Sequence, residues 1–353
     1  MRKITVNVSK SYDILISAGL LNEAGALIRK TLGGQAAAII SDDNVAPLYA
    51  KPLVDSLSLE NYRVSQYVSP HGECSKNAET LMSILNFLAE NKLSRSDIVV
   101  ALGGGVTGDL AGFAAACYMR GIRFVQIPTT LLAAVDSSVG GKTGINLPAG
   151  KNLIGSFYQP SLVLCDTATL STLSPDVFSD GCAEMIKHAI IADRDLFYSY
   201  KTPIQTQLET AIARNVEIKI GIVSEDELET GERKLLNFGH TIGHAIELLS
   251  GYKTPHGHAV AVGMVTITRA AVHMGLCKED CLNDLLNMLT IYNLPVNTTY
   301  TSEELAQACL SDKKRDGESL TMIFPTEVGK CIMKEIPVRE VNTVIRLGLD
   351  GQQ

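Results

Sequence analysis

The spacing of apolar residues changes character about half-way along the chain. In the first part, short apolar runs at residues 36–40, 62–68, 97–102, 123–128 and 161–166 alternate with stretches such as 76–90 and 106–118, where apolar positions recur at helical spacing. Strands separated by helices of that length pair in parallel through right-handed crossovers, so this half is predicted to be α/β. The alternation of Ile4, Val6 and Val8 adds an N-terminal strand. Beyond about residue 169 the period lengthens, and amphipathic helices are predicted at 175–192, 204–224, 234–250, 259–275, 279–292 and 302–311. Only 320–324 and 330–336, separated by Pro325 and Gly329, look extended, and they are expected to pair as a late hairpin. The predicted architecture is an N-terminal Rossmann-like domain, 1–160, followed by a mostly helical domain, 161–353, without a flexible linker. A tight cleft between them is the expected ligand site.

The 353-residue length supports about two domains, and 46% hydrophobic against 20% charged residues excludes a disordered chain. Thirty-one Lys and Arg against 38 Asp and Glu give a net charge of −7, which argues against nucleic acid or an anionic membrane as partner. An acidic small molecule stays open wherever cations cluster. No apolar run nears the roughly 20 residues that span a bilayer, and the first residues lack a signal-peptide core. Eight cysteines stand singly, with no C-x-x-C pair, as core fillers in a reducing cytoplasm.

Gly103-Gly104-Gly105-Val106-Thr107-Gly108-Asp109 follows a predicted strand and opens a predicted helix, satisfying G-x-G-x-x-G in the right context. Bare backbone there can approach a pyrophosphate whose charge meets the helix N-terminus. The loop comes late in the sheet and has no acid about 20 residues downstream, so the site is an atypical one. Asp42 and Glu73 are the acids available for ribose hydroxyls and favour NAD over its 2′-phosphorylated form. A second loop, Gly140-Gly141-Lys142-Thr143-Gly144, imitates a P-loop but fails: Asp136 stands where the first glycine is needed, and 130–135 reads as helix. Lys142, Lys151 and Asn152 nonetheless offer donors for a substrate phosphate.

Five of the seven histidines, His188, His240, His244, His256 and His258, fall in the second half at suggestive spacing. Glu184 and His188 are four apart, as are His240 and His244, so each pair shares a helix face. A Glu, His, His set with an open position would suit a catalytic zinc, although spacing alone allows several ligand sets. Lys187, Lys219, Arg233, Asn237, Lys313 and Lys314 lie among or near them. Cations beside a metal and a nucleotide point to a substrate carrying carboxylate or phosphate.

Taken in order, several segments resemble the 3-dehydroquinate synthase family. They are the glycine loop through Asp109, Tyr118-Met119-Arg120-Gly121, Ile127-Pro128-Thr129-Thr130, Asp136 through Asn146, Lys151-Asn152-Leu153-Ile154-Gly155, Glu184-Met185-Ile186-Lys187, Asn237 through His244, and Asp312-Lys313-Lys314. The resemblance implies an NAD-binding α/β domain joined to a helical metal domain, in a cytoplasmic homodimeric lyase. Metal ligands, for Zn2+ or Co2+, carry over to Glu184, His240 and His256, with His244 left for substrate or proton transfer and His188 without a role. NAD+ contacts map onto Asp42, Asn44, Glu73, Lys76, Gly104, Gly105, Asp109, Thr129, Thr130, Lys142 and Lys151. Substrate contacts map onto Asp136, Lys142, Asn152, Lys187, Lys219, Arg233, Asn237 and one of Lys313 or Lys314, Lys314 being preferred, while Arg120 matches a residue that reaches the partner subunit's site. Where the family usually reads His-Gly-Glu, this chain has His256-Gly257-His258, which adds a rival ligand. The implied reaction converts a phosphorylated acidic sugar, 3-deoxy-D-arabino-heptulosonate 7-phosphate, to 3-dehydroquinate and phosphate. Transient oxidation by NAD+, phosphate loss, reduction and an intramolecular aldol closure follow one another, with the leaving phosphate taking the proton. Related sugar-phosphate cyclases and metal-dependent polyol or glycerol-phosphate dehydrogenases are the alternatives.

Overall fold

The computed structural model describes residues 1–311 and 318–350. They fall into two compact units: Met1–Ser174 with Leu208–Ile220, and Pro175–Gln207 with the chain from Gly221 onward.

The first unit is built on seven strands. In chain order they are β1 (Arg2–Val6), β2 (Tyr12–Ser17), β3 (Ala36–Asp42), β4 (Arg63–Ser69), β5 (Ile98–Gly103) and β6 (Arg123–Pro128), then, after the separate antiparallel hairpin β7 (Lys142–Leu147) and β8 (Gly150–Phe157), β9 (Leu162–Asp166). The sheet order is β1-β2-β9-β6-β5-β3-β4, parallel throughout except for the β1–β2 pair. Side chains alternate across the sheet. Ala37, Ile39, Ile98, Val100 and Leu102 face the helices α1 (Leu20–Leu32) and α2 (Ala46–Leu59). Ala38, Ile40, Val99 and Ala101 face α3 (Ala78–Glu90) and α4 (Gly105–Cys117). Strands buried on both faces must be apolar at every position, which is why these runs were conspicuous in the sequence. The chain runs outward from β3 to β4, then returns past β3 to β5 and continues to β6, so the strand order reverses between β3 and β5. In open parallel sheets that reversal opens a crevice at the carboxyl ends of the strands.

The second unit is helical, as its periodicity predicts. It comprises α5 (Pro175–Ala192), α6 (Arg194–Ser199), α8 (His240–Leu249), α9 (His256–His273), α10 (Glu279–Ile291), α11 (Ser302–Ser311) and α12 (Val338–Leu349), with the hairpin β10 (Ser319–Glu327) and β11 (Lys330–Pro337). The intervening α7 (Leu208–Glu225) contributes its residues through Ile220 to the first unit. Helix α9 is buried nearly all round, from Ala259 to Ala271, and packs against α5, α8, α10 and α12. The late hairpin is present as predicted.

Three local departures have physical reasons. The helix expected at 234–250 is broken into a 3-10 turn, Glu232–Asn237, and α8, because Gly239 adopts φ 78° between them. The hairpin β7–β8 carries no strand signature in the sequence, because its glycines and asparagines mask the alternation. Gly144 and Gly155 meet there so closely that a Cβ on Gly155 would lie 2.1 Å from the Thr143 carbonyl oxygen. The segment expected to be helical at 130–135 is helical, but it widens to a π turn at Ala133–Ser137. Among the described residues no helix is long and apolar enough to cross a membrane.

Candidate active site

Three helices of the second unit approach one another at glycine. A Cβ on Gly257, in the first turn of α9, would lie 2.0 Å from the Asp180 carbonyl oxygen of α5. Gly263 meets the Gly239 carbonyl at the same distance, and Gly243 of α8 lies against the Val260 backbone. Such backbone-to-backbone packing fixes the helix registers, and its result is a convergence of side chains. Glu184 Oε1 lies 3.5 Å from His240 Nε2 and 3.3 Å from His256 Nε2. Ligands about 2.0–2.1 Å from a tetrahedral zinc stand roughly 3.3–3.4 Å apart, so the spacing is that of three corners of one coordination shell. Both Glu184 oxygens are buried without a well-aligned hydrogen bond, the residue being 1% exposed. A buried carboxylate so placed calls for positive charge, of which Lys187 supplies part. The trio therefore fits a divalent metal by donor type, spacing and charge.

Electrostatics divide the two rings. Burial, aided by the Lys187 ammonium and the other two rings, pushes the His240 pKa well below its usual value, so its lone pair is available. Burial also opposes charge on His256, but contacts with Glu184 and Glu247 outweigh it and push that pKa up to about 10. Lys187, buried one turn along α5, pairs with Glu184. His244 lies edge-on to His240 and tilted against His256, with centroids 5.5 Å and 5.9 Å away. His188 is fully buried further along α5 and is not part of the trio. His258, the rival ligand by sequence, turns instead to α5: its backbone N–H donates to Asp180 Oδ1 at 3.1 Å and its Nδ1 lies 3.2 Å from the same oxygen.

The loop before α8 prepares two polar groups. Asp226 accepts from the backbone N–H groups of Thr230, Gly231 and Arg233 at 2.7–3.0 Å, folding residues 226–233 around itself. Arg233 is 1% exposed and donates to the Glu227 carbonyl. Asn237 donates to Glu229 Oε1 at 2.7 Å. Neither Asp226, Glu229 nor Glu247 was visible as a site residue in the sequence; acids on helix faces and loops are ordinarily solvated.

In the first unit, the glycine loop leaves the carboxyl end of β5 and enters α4. None of its glycines has positive φ, so close approach rather than conformation explains them. A Cβ on Gly103 would meet the Thr107 side chain at 2.6 Å, and one on Gly108 would meet Gln126 at 2.7 Å. Gly104 and Gly105 are partly exposed, and the first turn of α4 has neither a side-chain cap nor an acid, leaving its N–H groups for an anion. Thr107 donates to Asp42 Oδ2 at 3.1 Å, joining the loops after β3 and β5 across the reversal point. Asp42 also accepts from the Asn44 and Val45 N–H groups. Thr129 follows β6 and keeps a buried hydroxyl without a hydrogen-bond partner, while the Thr130 hydroxyl accepts from Ala133 N. An uncapped helix start and an orphaned hydroxyl at strand ends suit a dinucleotide phosphate.

Most of the remaining residues of this unit follow the same strand ends, whereas Arg120 precedes β6 and stands apart from them. Lys76 lies 2.6 Å from Asp109 Oδ2 and 2.5 Å from Asn152 Oδ1. Burial pushes the Asp109 pKa up, against the pull of Lys76. Glu73 accepts from Asn146 at 2.7 Å and has Lys151 at 3.7 Å. Lys142 is exposed at the start of β7. Lys219 of α7 pairs with the Asp136 carboxylate and donates to its main-chain oxygen at 2.7 Å. Arg120 is exposed, in a turn where Met119 and Arg120 both have positive φ, 51° and 64°. Lys313 and Lys314 lie outside the described residues.

Comparison with known proteins now decides the family. Residues 66–180 match the model of the 3-dehydroquinate synthase N-terminal domain and 181–315 that of its C-terminal domain. The chain belongs to the 3-dehydroquinate synthase family. It is 42% identical over 348 residues to 3-dehydroquinate synthase of Streptococcus suis (strain 05ZYH33), covering 96% of this chain and 98% of that one. It is 42% identical over 351 residues to that of Enterococcus faecalis (strain ATCC 47077 / OG1RF), covering 97% and 98%. Among solved structures, a 2-deoxy-scyllo-inosose synthase complexed with carbaglucose-6-phosphate, NAD+ and Co2+ is 28% identical with TM-score 0.88, covering 98% and 99%. The 2-epi-5-epi-valiolone synthase of Streptomyces hygroscopicus subsp. jinggangensis 5008, with NAD+ and Zn2+ bound, is 28% identical with TM-score 0.88 over the whole of both chains. A glycerol dehydrogenase of Schizosaccharomyces pombe, 18% identical with TM-score 0.62, shares the fold, covering 99% of this chain and 90% of that one.

Proposed function

We infer that this chain is a 3-dehydroquinate synthase, a phosphorus–oxygen lyase that converts 3-deoxy-D-arabino-heptulosonate 7-phosphate to 3-dehydroquinate and phosphate in the shikimate route to chorismate and the aromatic amino acids. Family membership supports the reaction. The observation that carries its chemistry is the Glu184, His240, His256 trio, spaced for one tetrahedral ion around a buried carboxylate that Lys187 also pairs. Those three residues would hold Zn2+ or Co2+, and Gly104, Gly105, Asp42, Asn44, Glu73, Lys76, Asp109, Thr129, Thr130, Lys142 and Lys151 would hold NAD+. When bound, the ion supplies Lewis acidity to substrate hydroxyls and the nicotinamide a reversible hydride acceptor.

The chain's own residues bind and orient the substrate. The buried guanidinium of Arg233 presents a planar fork to its carboxylate. Lys142, Asn152 and Asn237 suit its phosphate. Asp136, Lys187, Lys219 and Lys314 are the further residues that would bind substrate, and His244, beside the trio, would serve proton transfer. Arg120, exposed on its left-handed turn, would reach the site of a partner subunit in a homodimer. Nucleotide binding would fall to 1–160 and metal and substrate binding to 161–353. Free cysteines throughout the chain support a cytoplasmic setting.

The test is direct. Supplied with the heptulosonate phosphate, substoichiometric NAD+ and Zn2+ or Co2+, the protein should release phosphate and form dehydroquinate over many turnovers per NAD+. Stoichiometric accumulation of NADH without phosphate would instead reveal a dehydrogenase. Turnover of a sugar phosphate lacking a carboxylate, with none of the acidic sugar, would reveal a different cyclase. His240→Ala should lose turnover and metal together.

A further inference from the structure

We propose that Glu247 is a positioning residue of the metal trio, its carboxylate holding His256 so that Nε2 faces Glu184. This rests on reading the trio as a metal centre. Glu247 Oε2 lies 3.1 Å from His256 Nδ1, the nitrogen opposite the one that faces Glu184. The acid is 2% exposed. An acid buried that deeply is costly unless it is engaged, and the His256 ring engages it. Its own position is fixed from behind: it sits in the last turn of α8, and its carbonyl accepts from Tyr252 N at 2.7 Å and Ser250 Oγ at 2.9 Å. Helix α8 thus carries His240 as one corner of the trio and Glu247 as the brace for another corner, on α9.

The arrangement does three things. It makes Nδ1 the protonated nitrogen, so Nε2 is the donor; it sets the ring plane; and it raises the basicity of the ring, as carboxylates behind metal-bound histidines do. A different use of the same groups is that Glu247 is itself a ligand, since His244, Glu247 and His256 also place ligand atoms within 4.8 Å of one another. The 3.1 Å between Glu247 Oε2 and His256 Nδ1 is a hydrogen-bond distance, which favours the brace.

The experiment uses metal-free full-length protein, titrated with Co2+ against a competing chelator while the visible absorption of the cobalt is recorded. The wild type should bind a single ion. Glu247→Ala should weaken binding by about 10–100-fold and shift the cobalt bands. Glu247→Gln, whose amide oxygen still accepts from Nδ1–H, should keep the band shape with a smaller loss. Wild-type affinity and spectrum in Glu247→Ala would overturn the proposal, as would a second bound ion that Glu247→Gln removes while leaving the first intact. Glu184→Ala separates the two levels of inference: if it binds cobalt as the wild type does, the metal centre itself is misassigned.

Discussion

Gly257 is pressed against the main-chain carbonyl of Asp180, leaving 2.0 Å where a Cβ would have to stand. This contact sets the distance between α5, which carries Glu184, and α9, which begins with His256. Gly257→Ala is therefore expected to push the two helices apart, lowering stability by about 1–3 kcal/mol and reducing metal retention more than this modest loss would suggest. Thermal unfolding with and without Zn2+ checks it: the metal-induced rise in Tm should shrink in the variant.

The pH dependence of metal binding follows from His256. Its folded pKa of about 10 lies above the ordinary 6.5, so in metal-free protein its charged form adds stability that is fully present below pH 6.5 and is lost as pH rises through about 10. A metal must displace that proton. Apparent affinity should therefore climb with pH up to about 10, each ion releasing a proton, as calorimetry in buffers of differing ionisation heat will show. His256→Gln should abolish that proton release.

Lys76 is buried and pairs with the partly exposed Asp109 carboxylate, which loses that partner when the lysine is removed. Lys76→Met should destabilise the first unit by about 1–3 kcal/mol and weaken NAD+ binding. Adding Asp109→Leu should recover much of the stability but not the nucleotide affinity, a split that unfolding and calorimetric titration with NAD+ resolve.

Asp226 organises the turn that presents Arg233. Backbone N–H groups of Gly231, Thr230 and Arg233 outweigh the effect of burial and hold its pKa down at about 2, against 3.8 ordinarily. Its contribution to stability is present above pH 3.8 and lost as pH falls through about 2. Asp226→Ala should flatten the acid limb of the stability curve and raise KM for the acidic substrate, with metal content unchanged.

Asn237→Ala removes a donor held by Glu229. Steady-state kinetics should show KM up about tenfold, the cost of roughly one hydrogen bond, while the ion stays bound.

Much of this was legible in the sequence because burial on two faces writes a strand as an unbroken apolar run, as at Ile98–Gly103, and a buried helix as a long mixed period, as at Pro175–Ala192. The glycine loop was legible for the same kind of reason, since its glycines answer to steric contacts with Thr107 and Gln126. Choosing among the histidines was not. Spacing pairs Glu184 with His188 as readily as with any other, and only the three-helix packing selects His240 and His256. Glu247 escaped notice because an acid at a helix end looks solvated until a neighbouring helix covers it.

The π turn at Ala133–Ser137 carries a last consequence. The Asp136 main-chain oxygen takes hydrogen bonds from Val139 N and from Lys219, which also grips the Asp136 carboxylate. One amino acid more or fewer between Leu131 and Val139 would rotate Asp136 through about 100° and leave the lysine facing neither oxygen. Evolution can exchange side chains along that stretch, but it is held to counting them.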